Sequence, residues 1–137
     1  MAGTIIGTLE QIQTPDGRPK LAVIKLLCTA AADDNSYPAK IINNLVDFDI
    51  RGLRLYSIAT IPGDIGPTND SDITITDKYD IDILADAGFN LIDNATTNRI
   101  VIGLTSSVII TGDITINITA NEVPSAVTTV VLELIGL

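Results

Sequence analysis

Apolar and polar residues alternate strictly over residues 113–119, Asp-Ile-Thr-Ile-Asn-Ile-Thr. A period of two predicts a strand, with Ile114, Ile116 and Ile118 on a dry face and Thr115, Asn117 and Thr119 on a wet one. The same rhythm marks residues 72–77, Asp-Ile-Thr-Ile-Thr-Asp, and a second alternating run, residues 80–84, follows at once. Residues 4–13 read as a first strand, with Gly7 as a weak point or bulge. Residues 20–29 are almost continuously apolar apart from Lys25. That pattern predicts a strand buried on both faces, or buried on one face and held in an interface by the other. Pro15-Asp16-Gly17-Arg18-Pro19 lies between these two strands, and Asp-Gly is a hairpin signal.

The middle of the chain is less regular. Residues 30–38 read as a loop. Over residues 40–50, Ile41, Ile42, Leu45 and Val46 fit a helical face, while Val46, Phe48 and Ile50 alternate with Asp47 and Asp49; the second half is expected to be extended. Residues 51–61 predict another strand, with Leu53, Leu55 and Ser57 on one side and Arg54, Tyr56 and Ile58 on the other. A loop over residues 62–70 leads to the alternating pair. Residues 85–97 are irregular, with one helical turn around Phe89 to Ile92. Short strands follow at residues 99–104 and 107–110, and a last strand at residues 127–134. About eight short strands separated by turn residues imply an all-β chain, a single domain over residues 1–137 built as a β-sandwich or a jelly-roll-like barrel.

Composition supports this reading. Of the 137 residues, 46% are hydrophobic but only 4% aromatic, so the core must come from Ile, Val, Leu and Ala. β-Branched residues are stiff at χ1 and suit a pleated surface. The length suits one domain. The net charge of −9 disfavours nucleic acid and anionic membrane as partners, since both are bound through Lys and Arg. The N-terminus lacks a basic stretch followed by an apolar core, so no signal peptide is expected. Nor does any apolar run reach the length of a membrane span.

Candidate chemistry is sparse. The chain has no His and one cysteine, Cys28, among apolar neighbours. A thiol nucleophile needs a base beside it, so Cys28 reads as a small buried hydrophobe. Asp70, Asp72, Asp77, Asp80, Asp82 and Asp86 cluster in one segment, and a hard cation such as calcium takes several carboxylate oxygens. Asp80 and Asp82, expected on one strand face, are the candidate metal ligands, although the spacing does not match an EF-hand loop. The alternative is a solvated, repulsive edge that blocks strand-to-strand aggregation. On that reading, Asp80→Asn with Asp82→Asn leaves stability unchanged or slightly better. Paired carboxylates also occur in glycosidases, but such clefts are flanked by aromatics that this chain lacks. Asn69, Asn94 and Asn117 match the glycosylation pattern and are more simply turn and strand residues. The cations Arg18, Lys20, Lys25, Lys40, Arg51 and Arg54 lie in the N-terminal part, whereas most acids come after residue 60. That asymmetry suits an oligomer contact as well as one mixed surface.

Several stretches together carry a resemblance. They are the opening Gly3-Thr-Ile-Ile-Gly-Thr-Leu-Glu10, then Ile61-Pro62 and residues 67–77, Asp82-Ile83-Leu84, the polar residues 94–99, and the strands at residues 113–119 and 127–134. In these the chain resembles small β-rich virion structural proteins of tailed bacteriophages, of the capsid decoration (cement) kind. In similar proteins the middle motif carries Gly in a turn where this chain has Asp80. The resemblance implies a non-enzymatic structural protein on the capsid surface, made in the host bacterial cytoplasm. Its partners would be the major capsid protein and further copies of itself, as a homotrimer. No cofactor is implied and no site residue carries over. The expected interface residues are Leu21, Val23, Leu26, Val131 and Ile135, from apolar runs that exceed what one small sandwich needs. Rival readings are a phage tail, neck or fibre component, and a calcium- or carbohydrate-binding β-sandwich used in adhesion.

Overall fold

The computed structural model describes residues 2–13 and 21–136. The expected turn at Pro15 to Pro19, and the cations Arg18 and Lys20, lie outside the described residues. The chain forms eight strands: β1 (Thr4–Gln13), β2 (Leu21–Thr29), β3 (Lys40–Ile41), β4 (Arg54–Pro62), β5 (Asp72–Thr76), β6 (Asn98–Val101), β7 (Thr115–Thr119) and β8 (Val127–Ile135). One four-residue helix, α1 (Gly103–Ser106), follows β6. Five strands make one antiparallel sheet in the order β1-β2-β8-β4-β6, and three make a second, β3-β7-β5. The architecture is therefore an all-β sandwich, five strands over three.

The core is aliphatic, as the composition requires. The five-stranded sheet supplies Ile24, Leu26, Ile58, Val130, Leu132 and Leu134, each fully buried, and the three-stranded sheet supplies Ile73, Ile75, Ile116 and Ile118, joined by Ile114 just before β7. Ile116 sits on the central strand β7 and pairs with both Lys40 of β3 and Ile75 of β5. Opposite the buried isoleucines, Thr115 and Asn117 are half-buried and Thr119 is exposed.

Several elements depart from the sequence expectation, each for a local reason. In β1, Gly7 stays in register opposite Leu26, and the register shift falls between Leu9 and Gln11. Gly7 serves another purpose: a Cβ there would lie 2.7 Å from the Leu45 carbonyl oxygen, so only glycine lets that loop approach. In β4 a bulge between Leu55 and Ser57 reverses the facing of the strand. Leu55 and Ile58 point inward, while Ser57 turns outward beside Glu133. The segment at residues 45–50 is not a strand. A 3-10 turn at Ile42–Asn44 precedes it, and the Asp49 carboxylate takes the Arg51 backbone N–H. Such local side-chain bonds give the backbone an alternative to a ladder. Residues 107–110 contribute only an isolated bridge, Arg54 to Ile109. Residues 102–106 turn into α1 rather than continuing β6, with Gly103 at a φ of +78°. Around Phe89 to Ile92 there are turns, not a helix.

Candidate functional site

The outward face of the five-stranded sheet follows from strand register. Cross-strand partners share a face, so three rows can be traced across β2, β8 and β4. Leu21, Ile135 and Arg54 form one row, Val23, Glu133 and Ser57 a second, and Lys25, Val131 and Ala59 a third. Leu27 pairs with Thr129, and Ile6 of β1 with Leu27. The most open aliphatic residues on this face are Ile6 at 58% exposure, Val101 at 57% and Leu27 at 45%. Leu21, Val131 and Ile135 are half-buried, and Val23 is almost covered by its neighbours. Four of the five expected interface residues thus share one surface. Leu26 does not: it is wholly buried, facing Gly7 and Val130 in the core, and is a packing residue rather than a contact. The run over residues 21–27 is accordingly buried on one face only, and the strand period separates Leu26 from its odd-numbered neighbours.

Charges on this face come in pairs. Lys25 Nζ lies 3.5 Å from Glu10, and Arg99 lies 3.8 Å from Glu133, which also accepts a hydrogen bond from the Ser57 hydroxyl. Counting Arg54, the face holds three cations against two anions among the described residues, on a chain of net charge −9. The sheet face is therefore locally near neutral while the rest of the surface is acidic.

The aspartate-rich segment is organised differently from the expected second strand. Residues 80–84 carry no ladder beyond one isolated bridge, Thr76 to Asp82. The chain turns back along the outer edge of β5 with Asp80, Ala85, Asp86 and Asn90 all at positive φ. Asp80 adopts a φ of +60°, in the left-handed region that Asp and Asn enter more readily than most residues. Along this edge Ile73 N–H donates to Gly88 O, Ile83 N–H to Ile75 O, and Ile92 N–H to Ser71 O. Gly88 is required by the closeness of this contact, since a Cβ there would lie 2.1 Å from the Ile73 carbonyl oxygen.

The carboxylates complete the same job. Asp82 Oδ1 accepts the N–H of Ile75 and of Leu84, and its Oδ2 accepts that of Asp86. Asp77 Oδ1 accepts from Tyr79 and Ile81, and Asp72 Oδ1 from Asn90. Asp80 and Asp82 do not share a strand face, and Asp82 is committed to peptide donors, which corrects their expected pairing as metal ligands. Among the described residues no group of three or more Asp, Glu or Cys side chains is placed to hold a metal ion. The sequence signal was the acidic spacing. What it could not convey is that these oxygens face backbone N–H groups.

Two other features hold groups that could carry chemistry. A cleft of about 230 Å³ lies between the turn at Asp77, Lys78 and Tyr79 and the segment Val108 to Ile110, with Lys78 Nζ 5.2 Å from the Tyr79 ring centroid. Its one carboxylate, Asp77, is already bonded to the turn. Cys28 is fully buried, its thiol donates to Leu26 O, and burial pushes its pKa up to about 12, so the reactive thiolate is suppressed. Asn121 was missed in the sequence. Its Oδ1 accepts the N–H of Thr68 and of Val123 and its Nδ2 donates to Asn35 O, which ties three loops together at one end of the sandwich.

No helix among the described residues is long and apolar enough to cross a membrane. Searches of protein families, curated proteins and solved structures found nothing that matches this chain.

Proposed function

We propose that this chain is a non-enzymatic structural protein of a tailed-phage virion, a capsid decoration protein that docks on the major capsid protein. The observation that supports this reading is the outward face of the five-stranded sheet, broad, aliphatic and near neutral on an otherwise acidic molecule. Burial of such a face is the main favourable term in docking. The acidic remainder of the surface keeps decorated particles dispersed through mutual repulsion. The sequence resemblance supplies the identity of the partner. Three-fold clustering on the particle needs only that each copy meets an equivalent capsid site.

The test is quantitative mass spectrometry of purified particles, paired with binding of the isolated protein to particles that lack it. A copy number comparable to that of the major capsid protein is expected. A copy number of a small fraction of that would make it a neck, tail or fibre component instead. Absence from particles, with no binding at micromolar protein, would sink the virion reading altogether.

A further inference from the structure

The two sheets treat their edges in opposite ways. The β5 edge of the three-stranded sheet is sealed by the chain that follows it, through backbone hydrogen bonds with Gly88, Ile83 and Ile92 and through the side chains of Asp72 and Asp82. Among the described residues, no chain segment caps the β1 edge of the five-stranded sheet through backbone hydrogen bonds in this way. β1 pairs only with β2, and no backbone bond among the described residues reaches β1 from a loop. It is ten residues long, whereas β6 at the opposite edge has four. A long unpaired edge is a template for another strand unless charge, proline or a cover blocks it. From Thr4 to Leu9 this edge carries neither charge nor proline.

We propose that β1 pairs antiparallel with β1 of a second copy across a two-fold axis at Ile6, which joins the two five-stranded sheets into one. The register follows from the residues. With Ile6 opposite its own mate, Thr4 lies opposite Thr8 of the second copy, and both are outward and exposed. Opposed threonines are a favourable cross-strand pair. On the inward side Ile5 lies opposite Gly7, and each is already covered within its own copy, Ile5 in the core and Gly7 beneath Leu45, so this side adds no exposed group to the contact. The outward Ile6 and Leu27, already cross-strand partners, meet their two counterparts in one apolar cluster of four. Glu10, the one charge on β1, falls opposite Ala2 and away from its own copy. Two molecules of net charge −9 can therefore meet at this edge without opposing like charges. The isologous contact is self-complementary, as a two-fold requires. It does not rest on the virion reading, and it makes the solution unit a dimer rather than a trimer.

The test combines mass and cross-linking. In sedimentation at micromolar concentration the protein is expected at twice the 14.5 kDa chain mass. Ile6→Lys, at an exposed position, is expected at the single mass with its circular dichroism unchanged and a Tm that no longer rises with protein concentration. In the Ile6→Cys variant, directly opposed Cβ atoms lie about 4.5–5.5 Å apart, close to disulfide reach. It should form a disulfide dimer on the order of tenfold faster than Thr8→Cys, because pairing raises the effective thiol concentration. Thr8 faces Thr4 rather than itself, and buried Cys28 does not compete. A monomer or a trimer in sedimentation, or equal cross-linking of the two cysteine variants, would overturn the proposal.

Discussion

Both oxygens of Asp82 face peptide N–H groups, from Ile75, Leu84 and Asp86. Hydrogen bonds to a charged acceptor are worth about 1.5–3 kcal/mol, and a stranded buried donor costs about as much. Asp82→Ala should therefore destabilise the protein by about 3 kcal/mol in urea denaturation. Asp82→Asn keeps one acceptor oxygen and should cost about 1 kcal/mol. Asp80→Asn should be neutral, since Asn tolerates the left-handed region that Asp80 occupies. This reverses the gain expected from relieving repulsion; no loss in Asp82→Asn would restore that account. At Cys28 the prediction concerns pH. Burial raises the folded pKa from 9.0 to about 12, so above pH 9 the unfolded chain releases a proton that the folded chain keeps. Stability contributed by the buried thiol is complete below pH 9 and is lost as pH rises toward 12, by at most about 1.4 kcal/mol per pH unit. Between pH 9 and 10, the wild-type protein should lose stability more steeply than Cys28→Ala. Equal slopes would show that the thiol is not buried.

Among the elements, β7 is the clearest test of packing. Ile116 is fully enclosed between its neighbours on β3 and β5, and truncation to alanine should cost about 2–5 kcal/mol. A loss below about 0.5 kcal/mol, the range of surface substitutions, would contradict the burial of this strand. Strands with one dry and one wetter face, such as β5, β7 and β8, were legible because a period of two then writes itself into residue type, and β1, β2 and β4 were legible within three residues of their observed bounds. The bulge in β4 was illegible, because Tyr56 differs in no way from an ordinary strand residue, yet it moves Ser57 outward and Ile58 inward. Residues 80–84 alternate like a strand but form a loop. Their alternation reflects Asp82 turned toward backbone donors and Ile83 turned toward the core, not a ladder. The outward face was legible in part. Leu21, Val23, Val131 and Ile135 could be singled out as surplus apolar residues, but only the register separates them from Leu26.

At the scale of the molecule, charge and apolar surface are segregated. The outward sheet face holds its few charges in pairs, and the aspartates gather on the loop that seals the other sheet. Val131→Asp places a carboxylate in the middle of that face, opposite Lys25. The isolated protein should stay folded, with unchanged circular dichroism, because Lys25 is there to meet the new charge. If this face is the proposed docking surface, binding to particles should fall by at least an order of magnitude, since desolvating the new charge in a dry contact costs several kcal/mol even with Lys25 beside it. Retained binding in a particle co-sedimentation assay would place the contact elsewhere on the molecule.

The order β1-β2-β8 carries a mechanical consequence. β1 and β8 both run antiparallel to β2 and so point the same way, with Thr4 beside Thr29 at one end of the sheet and Ile135 beside Leu21 at the other. A pull that separates Thr4 from Ile135 acts along the strands. It loads both ladders of β2 in shear, so many hydrogen bonds must give way together instead of peeling one at a time. Tension along this axis should meet far more resistance than a pull that unzips β1 sideways from its edge.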